Sequence, residues 1–322
     1  MKAHVGSSMG WGLAWVLVLF PAARGYGDDT ARTVEERRPP ASLPAEEIEF
    51  TPDITYAKPG GRILNLNMAR PKHAEGLLPA VVCIHGGGWI SGSRTRMDDQ
   101  YVKYLAGYGY VAVTPSYRFA PDDPFPAAVV DVRNCVRWLR RHAKEYGIDP
   151  DRIGATGLSA GGHLSAMLGV ASDKDSFGED DKGDAGTSAR VQAVVNYFGP
   201  GDLAADDWSK LAEKKFLIPF IGGTKEERRE AYAKASPVTY VSKDDPPILT
   251  FQGDKDLTVP VTQAKELHKK LEEAGVKNRL VIVEGQGHGW GEPHLTRTRQ
   301  GMVRFFNATL KGEKTAATER DE

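Results

Sequence analysis

Short apolar runs recur along the chain at 79–84, 110–115, 152–156, 191–197, 247–252 and 279–284. Between them lie segments whose apolar positions fall three and four residues apart. The stripe Val129, Val132, Cys135, Val136 and Leu139 predicts a half-buried helix over 126–145, and Val261, Ala264, Leu267, Leu271 and Ala274 predict another over 261–275. Further helices are expected at 97–107, 160–171 and 294–311. Runs that are apolar throughout belong to strands buried on both faces, the situation in a parallel sheet with helical crossovers. The predicted fold is therefore α/β, a mostly parallel central sheet covered by helices on both faces. Ahead of it, 53–58 and 62–68 alternate in polarity around Pro59-Gly60-Gly61, which predicts a hairpin. No internal repeat is found.

Two segments interrupt the alternation. Ser172 to Ser188 is acidic, rich in glycine and nearly free of apolar residues, and is expected to be a long mobile surface loop. Residues 202–245 carry helical patterns at 207–221 and 225–235 and read as a small lid inserted between two strands of the sheet. The N-terminus differs from the rest. Lys2 and His4 precede an apolar stretch from Trp11 to Phe20 and then Pro21-Ala22-Ala23-Arg24-Gly25, the layout of a secretory signal peptide. That stretch is about half of the ~20 residues a spanning helix needs, and no cysteine stands at its exit for a lipid. The expected organisation is a signal peptide over 1–25, cut after Gly25 or Gly27, a flexible leader over 26–46, one catalytic domain over 47–312 and a disordered tail over 313–322. The mature protein is expected in a secreted or periplasmic location, with no stable membrane insertion.

Composition adds limits. A chain of 322 residues, 40% hydrophobic and 26% charged, suits one large α/β domain. A formal net charge of −1 gives no electrostatic reason to expect nucleic acid as a partner. The two cysteines, Cys83 and Cys135, fall within apolar patterns on a predicted strand and a predicted helix, and read as separate buried thiols rather than a disulfide. No His, Cys, Asp or Glu grouping has metal-ligand spacing, and neither a metal nor a cofactor is expected. Oligomeric state leaves no trace in the sequence.

The chemistry gathers where predicted strands end. Gly157-Leu158-Ser159-Ala160-Gly161 after the run at 152–156 is a G-x-S-x-G turn, which carries serine on a tight strand-to-helix corner. His85-Gly86-Gly87-Gly88-Trp89 follows the run at 79–84. Its Gly87 and Gly88 amides, with that of Ala160 at a helix N-terminus, can converge on a carbonyl oxygen that becomes negative. A nucleophilic serine needs a general base, and the base needs an orienting carboxylate. In chain order the acid follows the serine and the histidine comes last. Asp256, after the strand at 247–252, and His288, after the strand at 279–284, fit those places; Asp254 is the rival acid, or else a turn-capping side chain. His85 is expected to fix the glycine loop, and His163 to serve packing or structure. Trp89 and Trp290 are either hydrophobic cover or walls of the substrate pocket. Tyr117-Arg118, Pro126 and Asp131 are expected to brace the loop beneath the oxyanion strand. Asn307-Ala308-Thr309 matches a glycosylation sequon but falls on a predicted helix.

On these motifs the chain resembles the α/β-hydrolase superfamily over about 45–312, and within it the esterase/lipase branch that includes hormone-sensitive-lipase-like enzymes. The resemblance implies Ser159 as nucleophile, Asp256 and His288 as its triad partners, and Gly87, Gly88 and Ala160 as oxyanion donors. The chain departs from that branch where Leu158 replaces a usual acidic residue, and where 26–50 is too short and polar for a helical cap. It is more similar to exported bacterial esterases grouped with acetyl-xylan and feruloyl esterases, which share Ser-Ala-Gly-Gly-His and phrases like Ala235-Ser236-Pro237 through Asp244-Asp245-Pro246-Pro247. Arylformamidase-like enzymes share many of these phrases. The reading is an exported serine carboxylesterase acting on short acyl esters of small molecules or carbohydrate, with acetyl or feruloyl groups on plant polysaccharide as candidates. An amidase or serine peptidase on the same fold is the first alternative, and a catalytically silent binding protein the second.

Overall fold

In the computed structural model the described residues are Met1, 42–178 and 186–313. The chain divides into Met1–Arg38 and Pro39–Glu322, and every element below belongs to the second unit. The expected signal peptide, most of the leader and the tail beyond residue 313 lie outside the described residues. The described end of the leader is anchored, because the Leu43 amide donates to the Gly107 carbonyl at 2.7 Å.

Eight strands among the described residues form one sheet: β1 (Ile48–Ala57), β2 (Leu64–Pro71), β3 (Leu78–Ile84), β4 (Val111–Pro115), β5 (Ile148–Leu158), β6 (Ala193–Tyr197), β7 (Ile248–Gly253) and β8 (Asn278–Val283). Their spatial order is β1-β2-β4-β3-β5-β6-β7-β8. The hairpin β1–β2 and the β2–β4 pair are antiparallel, and all pairs from β4 to β8 are parallel. β1 forms one margin of the sheet and its pairing slips between Thr51 and Ile54, where Pro52 is followed by Asp53 with a φ of 60°.

The helices are α1 (Lys103–Gly107), α2 (Ala127–Arg141), α3 (Ala143–Tyr146), α4 (Ala160–Val170), α5 (Lys210–Ala212), α6 (Ile218–Ile221), α7 (Arg229–Lys234), α8 (Val261–Glu273) and α9 (His294–Leu310). One hydrophobic cluster joins α2, α4 and α8 to one face of the sheet, and a second joins α1 and α9 to the other. Every stripe residue of α2 is buried, and α4 is buried on all sides, as befits a helix packed beneath neighbouring elements.

Three predicted segments come out differently. The helix expected at 97–107 is a 3₁₀ turn (Arg94–Met97), a wide five-residue turn (Asp98–Val102) and only then α1. Its buried residues Met97, Tyr101, Leu105 and the pair Val102 and Ala106 recur every four positions. A wider turn keeps that period facing the sheet, which 3.6 residues per turn does not. The helix expected at 126–145 breaks at His142, whose ring stacks on Trp138 and hydrogen-bonds its carbonyl. The segment 172–188 has fastened ends where it is described. Arg133 donates to the Ser172 carbonyl, Arg137 to that of Thr187, and Arg140 to those of Ser188 and Arg190. Phe177 is buried beside Arg133. Free movement at those ends is thus corrected: the guanidinium groups of α2 satisfy their carbonyls. Cys83 and Cys135 are both buried and free.

Candidate active site

The carboxyl ends of β3, β5, β7 and β8 bring the expected chemistry to one edge of the sheet, where open α/β sheets build their sites. β5 ends at Leu158 and α4 starts at Ala160, so Ser159 makes the corner alone, with φ 56° and ψ −119°. A non-glycine residue there is strained, and such strain persists only where the surroundings overdetermine it. Here the Ser159 amide donates to the Tyr197 carbonyl, and a Cβ on Gly161 would collide with the Ile84 carbonyl oxygen. The backbone at this turn is thus held by a hydrogen bond on one side and close contact on the other.

The Ser159 hydroxyl lies 2.8 Å from His288 Nε2, and His288 Nδ1 lies 2.8 Å from Asp256 Oδ2. Asp256 is held by three further donors: the Thr258 and Val259 amides on Oδ1 and the Gln252 side-chain amide on Oδ2. A carboxylate surrounded by donors requires the facing ring nitrogen to donate as well, so His288 Nδ1 carries its proton and Nε2 is left to accept from Ser159. Asp254 is exposed and its carboxylate accepts from the Gly285 amide at 2.6 Å. The structure thus gives Asp254 a role in bracing the loop after β8, while Asp256 is the acid bonded to His288.

The oxyanion loop is shaped by contact. Gly87 has φ 132°, and a Cβ there would run into the Ser91 carbonyl. Gly88 (φ 61°) and Trp89 (φ 61°) continue the same left-handed path. Ala160, as the first residue of α4, has no acceptor for its amide within the helix. His85 is buried, stacks on Tyr117 at 4.4 Å and donates from Nδ1 to the Gly86 carbonyl; the Tyr117 hydroxyl donates to the His85 carbonyl. Burial pushes the His85 pKa down to about 4. Arg118 pairs with the fully buried carboxylate of Asp131 beneath this loop.

Trp89 requires a correction. It is 3% exposed, stacks on Phe220 of α6 at 4.4 Å, and donates from its indole to His163 Nδ1 at 3.2 Å. It is core packing that props the loop, because the segment between β6 and β7 folds over it and leaves no face for a substrate. His163 passes the connection on, its Nε2 donating to the Ala235 carbonyl at 2.7 Å, and burial lowers its pKa to about 4. Trp290 is half-buried, bonded to Thr298 and packed edge-on against Phe198. Phe198 is the ring that meets His288, at 4.9 Å.

Three residues that pattern reading passed over stand here: Gln252, Phe198 and Phe216, the last lying on Gly88. The signal available for the first two was their place at the carboxyl ends of β7 and β6. Asn307 is buried, accepts from the Tyr110 hydroxyl and donates to Glu313, so it offers no side chain for glycosylation. Among the described residues no cluster of His, Cys, Asp or Glu could hold a metal ion, and no helix is long and apolar enough to cross a membrane. Cavities of about 680 and 640 Å³ lie elsewhere, one beside Phe125 and Arg229 and one beside Asp207 and Lys265, and Ser159 lines neither.

A family model described as BD-FAE matches residues 66–271, well over half of the chain. The chain belongs to the BD-FAE family. Its fold is that of the α/β-hydrolase esterases and lipases. A truncated carbohydrate esterase from gut microbiota superposes with a TM-score of 0.71 at 27% identity, over 84% of this chain and 99% of that one. An esterase of Thermogutta terrifontis solved with propionate bound gives a TM-score of 0.67 at 27% identity, over 82% and 94%. In sequence, this BD-FAE member is 32% identical over 241 residues to the probable carboxylic ester hydrolase LipM of Mycobacterium tuberculosis. That match covers 72% of this chain and 54% of the mycobacterial protein, so the chain spans about half of that relative's length.

Proposed function

We propose that the protein is an exported serine carboxylesterase that removes short acyl groups, with acetyl or feruloyl esters of plant polysaccharide as its natural substrates. The observation that carries the reading is the unbroken line of hydrogen bonds from Asp256 through His288 to Ser159, with both links at 2.8 Å. His288 Nε2 takes the Ser159 proton as the hydroxyl oxygen attacks the ester carbonyl. The carbonyl oxygen becomes negative against the Gly87, Gly88 and Ala160 amides, donors already oriented before charge develops. The imidazolium, steadied by Asp256, then protonates the leaving alcohol, and an acyl-Ser159 ester remains. Water enters, gives its proton to His288, and the acid leaves as Ser159 regains its proton.

The relatives support ester over amide chemistry, and the gut carbohydrate esterase supports carbohydrate as the alcohol. Export rests on the layout of residues 1–25 and is tested by N-terminal sequencing of the secreted product, with the cut expected after Gly25 or Gly27. The activity is tested on a 4-nitrophenyl ester series from acetate to octanoate, with a 4-nitroanilide beside it. Turnover strongest on acetate is expected, with Ser159→Ala lowering kcat on the order of 10⁶-fold. Equal turnover by the alanine variant, or cleavage of the anilide alone, rejects the reading.

A further inference from the structure

Phe216 belongs to the segment between β6 and β7, in the wide turn Glu213–Leu217, and its ring lies on the oxyanion loop. The ring occupies the space that a Cβ on Gly88 would need, with Cδ1, Cε1 and Cγ the nearest atoms. It is half-buried, so part of it still borders solvent. The mount is rigid. Leu217 is buried in the core, Phe220 one turn later stacks on Trp89, and the Ser209 hydroxyl caps the start of the segment by accepting from the Ala212 amide. Pro219 supplies no N–H to the carbonyl four residues back, and the turn before it widens, the Ile218 amide donating to the Glu213 carbonyl.

The reaction geometry decides what the ring meets. The leaving oxygen must face His288 Nε2, which protonates it. The carbonyl oxygen must face the Gly87, Gly88 and Ala160 amides. The remaining substituent of the carbonyl carbon is the acyl chain, which has to pass along the oxyanion loop. On that loop Gly88 contributes no side chain and Phe216 stands over it. Phe198 packs edge-on against His288, whose Nε2 protonates the departing alcohol.

We infer that Phe216 sets the acyl-length limit of the site, admitting acetyl and turning away long-chain and feruloyl groups. The inference rests on the esterase reading above, and of its two candidate acyl groups it selects acetyl. A small residue at 216 would open the cleft, whereas tryptophan would narrow it.

The test compares kcat/KM on 4-nitrophenyl acetate, butyrate and octanoate and on methyl ferulate for the wild type, Phe216→Ala, Phe216→Leu and Phe216→Trp, each checked for a cooperative melt. The octanoate-to-acetate ratio should rise about tenfold or more in Phe216→Ala, since one methylene in an apolar pocket already moves discrimination about that far. Phe216→Leu should fall between, methyl ferulate should follow octanoate, and Phe216→Trp should steepen the wild-type decline. If the alanine variant does not fold, the leucine and tryptophan variants must still move the ratio in opposite directions. Superposable profiles in folded variants overturn the inference while leaving the esterase reading intact. A wild type without Ser159-dependent turnover fails the esterase reading itself.

Discussion

On one side of Ser159 the oxyanion loop is fixed by close approach. Gly87 is pressed against the Ser91 carbonyl, Trp89 is stacked on Phe220 and hydrogen-bonded edge-on to His163, and His85 is stacked on Tyr117. On the other side Asp256 and His288 are fixed by hydrogen bonds, four of them converging on one carboxylate. The packed half cannot accept an added carbon, and the bonded half cannot lose a donor or an acceptor. A proton must move on the second side while the first must stay still through the whole cycle, and each side has the kind of support its task needs.

Substitutions can break the comparison. The largest effect should come from Asp256→Asn, which offers His288 an amide in place of a carboxylate and favours the wrong ring tautomer. A drop in kcat of about 10⁴-fold is expected with KM little changed; a loss under tenfold would remove Asp256 from the reading. Gly87→Ala should lower kcat on the order of 10²–10³-fold through a displaced amide, and should lower the melting temperature too, because the new methyl meets backbone. If kcat falls and the melt does not, the loop is less constrained than its packing implies.

Acid should act on the packed half, and also on His268 of α8, whose pKa burial likewise lowers to about 4. His85 and His163 are buried and their pKa values lie near 4, below the ordinary 6.5. A base whose pKa is depressed by folding binds fewer protons in the folded state, so its contribution is intact above about pH 6.5 and is lost as pH falls through 4. The loss should be on the order of 3 kcal/mol for each ring at the acid end, read as a falling urea midpoint between pH 7 and pH 4.5. A flat midpoint would mean that these rings are not held neutral. The smallest effect should come from Asp254→Asn, which removes a charge but leaves an acceptor for the Gly285 amide; kcat should stay within about threefold.

The sheet was legible because parallel strands buried on both faces are written as apolar runs, and the register of Ser159, Asp256 and His288 followed from strand ends. β5 starts four residues ahead of its apolar run, since Ile148 pairs with Leu78 across a polar stretch that hides the strand. The helix expected at 97–107 was misread because a period of four passes for a period of 3.6 over so short a span. Phe216 and Gly88 stand far apart in sequence, and no local pattern ties a phenylalanine in an insertion to a distant glycine. The two readings of Trp89, cover or pocket wall, stayed undivided for the same reason, because the ring stacked on it, Phe220, comes from that insertion.

The slip in β1 has a consequence for the molecule among its own copies. An outermost strand with a free row of amides and carbonyls invites a neighbour's strand to add to it. At the margin formed by β1, Pro52 has no amide to offer and Asp53 turns the chain out of the extended path. A visiting strand would lose its ladder after a few rungs, so concentrated protein should resist fibril-like stacking along this edge.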